Sequence, residues 1–250
     1  MPAGSEGGSA IRDHRDALHY HLRRDPHRRA SALADIILGG QDGLVNVLGV
    51  ILGVAAATGD SQIVLVAGLA ATVAESISMG AVAYTSTLAE AAFYESERTR
   101  EYRHISRVPQ VERQEIYRIY QDKGFGDELL DQIVETITAN EDTWVQVMMA
   151  EEHQLSPVNR EIALRTALVV GLSAVIGSLI PLVPFMFLSV SASSVVSILI
   201  SALTLFAVGA YKARVMVGHP GKSGLEMALI GTVSALAGYL VGFVLKVPAG

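Results

Sequence analysis

The chain has 250 residues, half of them hydrophobic and only 18% charged, with a formal net charge of -6. No nucleic-acid partner is expected of a chain with this acidic balance. With no cysteine there is no disulfide and no thiolate site, so any bound metal must take oxygen, nitrogen or thioether ligands.

Residues 1–10, rich in Gly, Ser and Ala, read as a disordered tail. The following RDHRDALHYHLRRDPHRR sets His14, His19, His21 and His27 among arginines. It reads either as a metal-binding tract or as an amphipathic segment touching lipid headgroups. Residues 1–31 hold six arginines and no apolar run, which is not the pattern of a cleaved leader, so the first apolar segment is expected to stay in the protein.

That segment, residues 32 to 58 (ALADIILGGQDGLVNVLGVILGVAAAT), is long enough at ~1.5 Å per residue to cross a ~30 Å hydrocarbon core. Asp42 near its middle must face protein, water or an ion, because a carboxylate in lipid costs roughly 2.5 to 3.5 kcal/mol. On a helical wheel Asp35, Asp42, Asn46, Gly49 and Gly53 fall within about 40° of one another. Gly39 to Gly43 and Gly49 to Gly53 have the GxxxG spacing of close helix approach, which fits ordinary bundle packing or a contact with a second copy.

A second span begins near Gln62 and carries Glu75 and Met79 one turn apart. No Pro or Gly occurs from Ala81 to Val108, so the helix is expected to run on past the membrane. On an ideal wheel Met79, Ser86, Glu97, Glu101 and His104 stay within about 40° of Glu75. Counted from the turn near Asp60, Asp42 and Met79 both lie about 26 Å in along their helices. A hard and a soft ligand at one level suit a borderline divalent ion such as ferrous iron; the other reading of Met79 is core packing.

Residues 93–160 hold 14 acidic and 8 basic side chains. Breaks at Pro109, Gly124 to Gly126 and Pro157 predict helices over 110–123, 127–138 and 141–155 after the emerging one. Glu101 and His104 have Glu-x-x-His spacing, Glu112 and Glu115 form Glu-x-x-Glu, and Met148, Met149, Glu151 and Glu152 cluster near the end of the last helix. Such pairs on facing helices hold di-iron or di-manganese centres, whereas an acidic helical segment can equally be a solvated surface.

Beyond it, residues 166 to 211 contain no charged side chain, a run of 46 that must fold back on itself near 184 to 193, where Pro184 and SVSASS stand. A further 19 uncharged residues separate Glu226 from Lys246, which makes five spans. In that arrangement 18 of the 19 basic residues fall on one side, so the positive-inside rule puts the N-terminus in the cytoplasm. The expected fold is an all-α integral membrane protein with four parts: a cytoplasmic N-terminal segment (1–31), spans one and two (32–92), a cytoplasmic helical insertion (93–160), metal-binding on one of its two readings, and spans three to five (161–250). No phosphate-binding loop is visible, so ATP-driven pumping is not expected.

DGLVNVLGVILG (42 to 53), ESISMGAVAY (75 to 84), VMMAEEHQL (147 to 155) and GSLIPLVPFMF (177 to 187) together resemble the vacuolar iron transporter family, in its order and at its spacing. The resemblance implies a homodimer of five-span subunits in a lipid bilayer, with the ion path between the two first spans. It further implies export of Fe(II) from the cytosol in exchange for protons, with Mn(II) or Zn(II) as other cargoes. By position Asp42 and Met79 match the family's pathway ligands, and Glu101, Glu112, Glu115, Met148, Met149 and Glu152 its cytoplasmic metal site. Two departures stand out: His104 occupies a place where many members have glutamate, and Ala71 one where plant-type members have a pathway glutamate, with Glu75 a turn later. The host would be a plasma (inner) membrane or a vacuole-like one. The alternative reading is a membrane-anchored di-iron oxidase or iron-storage module.

Overall fold

The computed structural model describes residues 26–216 and 218–245, with side chains from Leu33 onward. The Gly/Ser tail, the readings made for the histidine-rich segment and Lys246 lie outside the described residues. Every regular element among those described is helical. In order they are α1 (Pro26–Thr58), α2 (Ser61–Arg107), α3 (Pro109–Asp122), α4 (Asp127–Thr138), α5 (Glu141–Glu151), α6 (Ala163–Leu182), α7 (Val190–Val215) and α8 (Pro220–Val244), with short 3-10 turns at Arg160–Ile162 and Val183–Met186. Five stretches are long and apolar enough to cross a membrane: Leu33–Thr58, Ser61–Arg107, Arg160–Met186, Val190–Val215 and Pro220–Val244. The chain divides into two compact units, Met1–Ala81 with Thr166–Gly250, and Val82–Arg165.

In the first unit α1 sits against α7 and α8, which also pair with each other. The turn from α1 to α2 is set by Gly59 at φ +65 and by Asp60, whose Oδ1 accepts from the backbone N–H groups of Gln62 (2.7 Å) and Ile63 (3.2 Å). This caps two of the donors that a helix start leaves unpaired. Val47, Leu48, Ile51, Leu52, Val64, Leu182 and Phe185 form the buried core. Large apolar side chains also face outward, among them Ile77, Ile176 and Leu203 at 67%, 67% and 70% exposure, as a hydrocarbon surround permits.

Without a hydrophobic force between helices in lipid, close approach has to come from small residues. A Cβ on Gly39 would stand 2.2 Å from the Val170 carbonyl oxygen, and one on Gly43 2.4 Å from that of Ala174, so this pair presses on α6. Gly49 and Gly53 meet Gly238 and Gly242 of α8. Both GxxxG spacings of α1 are therefore used inside one chain, as ordinary bundle packing.

The second unit is built from the later turns of α2 with α3, α4 and α5. Pro109 opens α3 at a position where its missing N–H is no loss, and the Asn140 side chain caps α5 by accepting from Thr143 N–H at 2.9 Å. Ile105, Ile116, Leu130, Val134, Trp144, Val145, Met148 and Met149 fill the core. The helix expected over 141–155 ends at Glu151 instead. Gln154 takes a left-handed φ of +54, and the N–H groups of His153 and Leu155 turn back onto the carbonyls of Met148 and Met149. Pro157 was the anticipated breaker; the chain leaves the helix before reaching it.

Candidate metal centre

Within the first unit three polar side chains of the first two spans, Asp42, Asn46 and Glu75, come together. Asn46, exposed one turn after half-buried Asp42, directs its amide Nδ2 to the Asp42 Oδ2 at 3.4 Å. The Glu75 carboxyl on α2 interacts with both Asp42 and Asn46. Two carboxylates from successive spans thus sit together in an otherwise apolar layer. Met79 is half-buried one turn beyond Glu75, and Ala71 is half-buried one turn before it.

In the second unit a denser cluster forms around Glu101, which is 2% exposed. Its Oε2 lies 3.1 Å from His153 Nε2, while its Oε1 makes no hydrogen bond. His104 Nδ1 approaches Glu112 Oε1 at 3.6 Å. Glu101, His104 and Glu112 can offer three ligand atoms within 4.8 Å of one another, and so can Glu101, Glu152 and His153. This spread is compatible with a cation held at ~2.0 to 2.2 Å from each donor after small side-chain rotations.

The helix spacing explains the gathering. Glu101 and His104 lie on one face of α2, and Glu112 lies in the first turn of α3 right after the Pro109 break, so its carboxylate comes back toward them. Burial, then the Glu101 and Glu115 carboxylates, push Glu112 up to about 8. Glu152, at the exposed edge, is raised by partial loss of water and then by Glu115, with His153 acting in the opposite sense. Acidic groups that resist ionisation side by side are relieved by a cation between them.

The predicted residues therefore separate into three sets. Glu101, His104, Glu112 and Glu152 meet, with Glu115 close enough to act on two of them. Met148 and Met149 lie in the apolar core at 0% and 1% exposure. Asp42, Glu75 and Met79 belong to the other unit. Sequence reasoning passed over His153, which directly follows Glu152 but, on a helix continued to 155, points some 100° away from it. Asn46 lies on the α1 stripe, but an amide at that spacing does not by itself mark a site residue.

The fold and these groups define a polytopic helical membrane protein with ionisable side chains inside its spans and a carboxylate–imidazole cluster in a separate helical unit. Residues 33–243 match the model of the VIT family. The chain is 32% identical over 243 residues to vacuolar iron transporter 1 of Oryza sativa subsp. japonica, covering 96% of each. It is 32% identical over 213 residues to vacuolar iron transporter 1 of Arabidopsis thaliana, 85% of each chain, and 30% identical over 224 residues to the vacuolar iron transporter of Plasmodium falciparum, 86% of this chain and 82% of that one. The chain belongs to the VIT family.

Proposed function

We propose that this protein carries Fe(II) across its membrane, out of the cytosol and in exchange for protons, as a homodimer whose first spans line the path. The observation that carries the reading is the meeting of Asp42 and Glu75, two carboxylates from adjacent spans, with exposed Asn46 beside them. A polar face left open within an apolar layer calls for a partner that is not lipid, and the same face of a second copy would provide one. Metal needs these carboxylates ionised, so protonation from the far side releases the ion there and couples the two fluxes. Met79 would add a thioether, which favours Fe(II) over Mg(II) or Ca(II).

The Glu101 cluster is the capture site, with His104, Glu112, Glu115 and Glu152 as ligands and Met148 and Met149 as softer donors reached by rotation of their side chains. Mn(II) and Zn(II) are the competing cargoes. The family relatives are vacuolar by name, and a vacuole-like or plasma membrane with the N-terminus in the cytoplasm fits the distribution of basic residues. In proteoliposomes loaded with calcein, Asp42→Ala is expected to abolish iron-dependent quenching. Glu101→Ala combined with Glu152→Ala should weaken it only at low iron. Normal flux through Asp42→Ala would overturn the mechanism.

A further inference from the structure

Glu101 is nearly sealed from water, and its Oε1 makes no hydrogen bond. A buried carboxylate oxygen without a partner is expected to face a cation. Two sets of ligand atoms converge on this one residue, His104 with Glu112 on one side and Glu152 with His153 on the other, and each contains an imidazole. The second imidazole arrives through a built turn: α5 stops at Glu151, the N–H groups of Glu152 and His153 both bond the Met148 carbonyl, and Gln154 adopts φ +54. A left-handed conformation is unfavourable for a non-glycine residue, so the turn is held by what surrounds it.

We propose that His153 is a metal ligand, that Glu101 is shared between two metal positions each closed by one imidazole, and that this pair of imidazoles favours Fe(II), Co(II) and Zn(II) over Mn(II). The proposal rests on the reading of the helical unit as metal-binding. Its chemistry is the preference of imidazole for the later first-row ions, against that of carboxylate for manganese. The ordinary alternative is that His153 only holds Glu101 in place through the 3.1 Å contact.

The test uses the full chain purified in detergent and titrated separately with Co(II) and Mn(II), alongside His153→Gln, His153→Glu and Glu101→Gln. His153→Gln keeps a donor toward Glu101 but removes the imidazole. It is expected to lose about tenfold or more in Co(II) affinity, to change little toward Mn(II), and to lose one paramagnetically shifted imidazole N–H resonance from the Co(II) form. His153→Glu should shift the Co-to-Mn preference toward Mn(II). Unchanged Co(II) affinity and an unchanged set of shifted resonances in His153→Gln, with binding lost in Glu101→Gln, would overturn the ligand role while leaving a metal-binding unit. Failure of the unsubstituted protein to bind either ion would overturn both. If His153→Gln does not fold, an unaltered Co-to-Mn ratio in His153→Glu overturns the proposal by itself.

Discussion

Metal uptake at the Glu101 cluster is expected to expel a proton from Glu112. A carboxyl held at about 8 is about nine-tenths protonated at pH 7, and the proton must leave before the oxygen can bind a cation. Competition with that proton weakens binding about tenfold at pH 7 and about a hundredfold at pH 6, and has largely gone by pH 9. Calorimetric titration of the full chain with Mn(II), in two buffers of different protonation enthalpy, counts the protons released. The difference between the unsubstituted protein and Glu112→Gln isolates this residue from His104, Glu101 and Glu115 around it. It should be close to one proton at pH 7 and close to none at pH 9. Equal counts for the two proteins at pH 7 would refute the reasoning. The metal-free protein supplies a second check. The folded carboxyl is raised above its unfolded value of 4.5, so its contribution to stability is complete below that value and is lost as pH rises through about 8. Melting temperature without metal should therefore fall between pH 5 and 8.5, and Glu112→Gln should flatten that part of the profile.

Helix approach and turn geometry give two further expectations. A Cβ at Gly177 would fall 2.0 Å from the Gly40 carbonyl oxygen, and one at Gly242 1.8 Å from that of Gly53, so Gly177→Ala and Gly242→Ala each force backbones apart. Each should cost about 1 to 3 kcal/mol, seen as an earlier thermal transition in detergent, while Gly221→Ala, with nothing near its added methyl, serves as the control. Gln154→Gly removes the penalty of a left-handed side-chain-bearing residue and should raise the melting temperature of the metal-free protein, by an amount equivalent to about 0.5 to 1 kcal/mol. A lower one would show that the Gln154 side chain is itself a support of the turn.

The spans could be read from sequence because lipid imposes a length and forbids charge, and a 46-residue uncharged run admits few arrangements. The carboxylates Asp42 and Glu75 stood out for the same reason. The GxxxG spacing of α1 announced close approach but not its partner, since any small-residue helix satisfies it; α6 and α8 take those positions. Glu101 and His104 were visible as an i,i+3 pair, and Glu112 followed from the proline that starts α3. His153 was not, because its position depends on a helix ending at Glu151 through a left-handed glutamine, and glutamine carries no sequence signal for that conformation. Glu97 shows that a place on the stripe does not make a ligand. It shares the predicted stripe but pairs with Arg100 at 2.5 Å instead of joining the cluster.

Of the serines that read as a turn marker in the sequence, Ser193 is fully enclosed, as is Ser197 just beyond them. Ser193 Oγ donates toward the carbonyls of Pro184 (3.1 Å) and Leu188 (3.2 Å), and Ser197 Oγ to that of Pro181 at 2.7 Å. Pro184, three residues on, has no N–H to offer that last carbonyl. The α6–α7 hairpin thus satisfies from its own hydroxyls the backbone acceptors that its bend exposes. During biogenesis such a hairpin can partition into the bilayer as one piece, needing neither solvent nor the remaining helices to shield its corner.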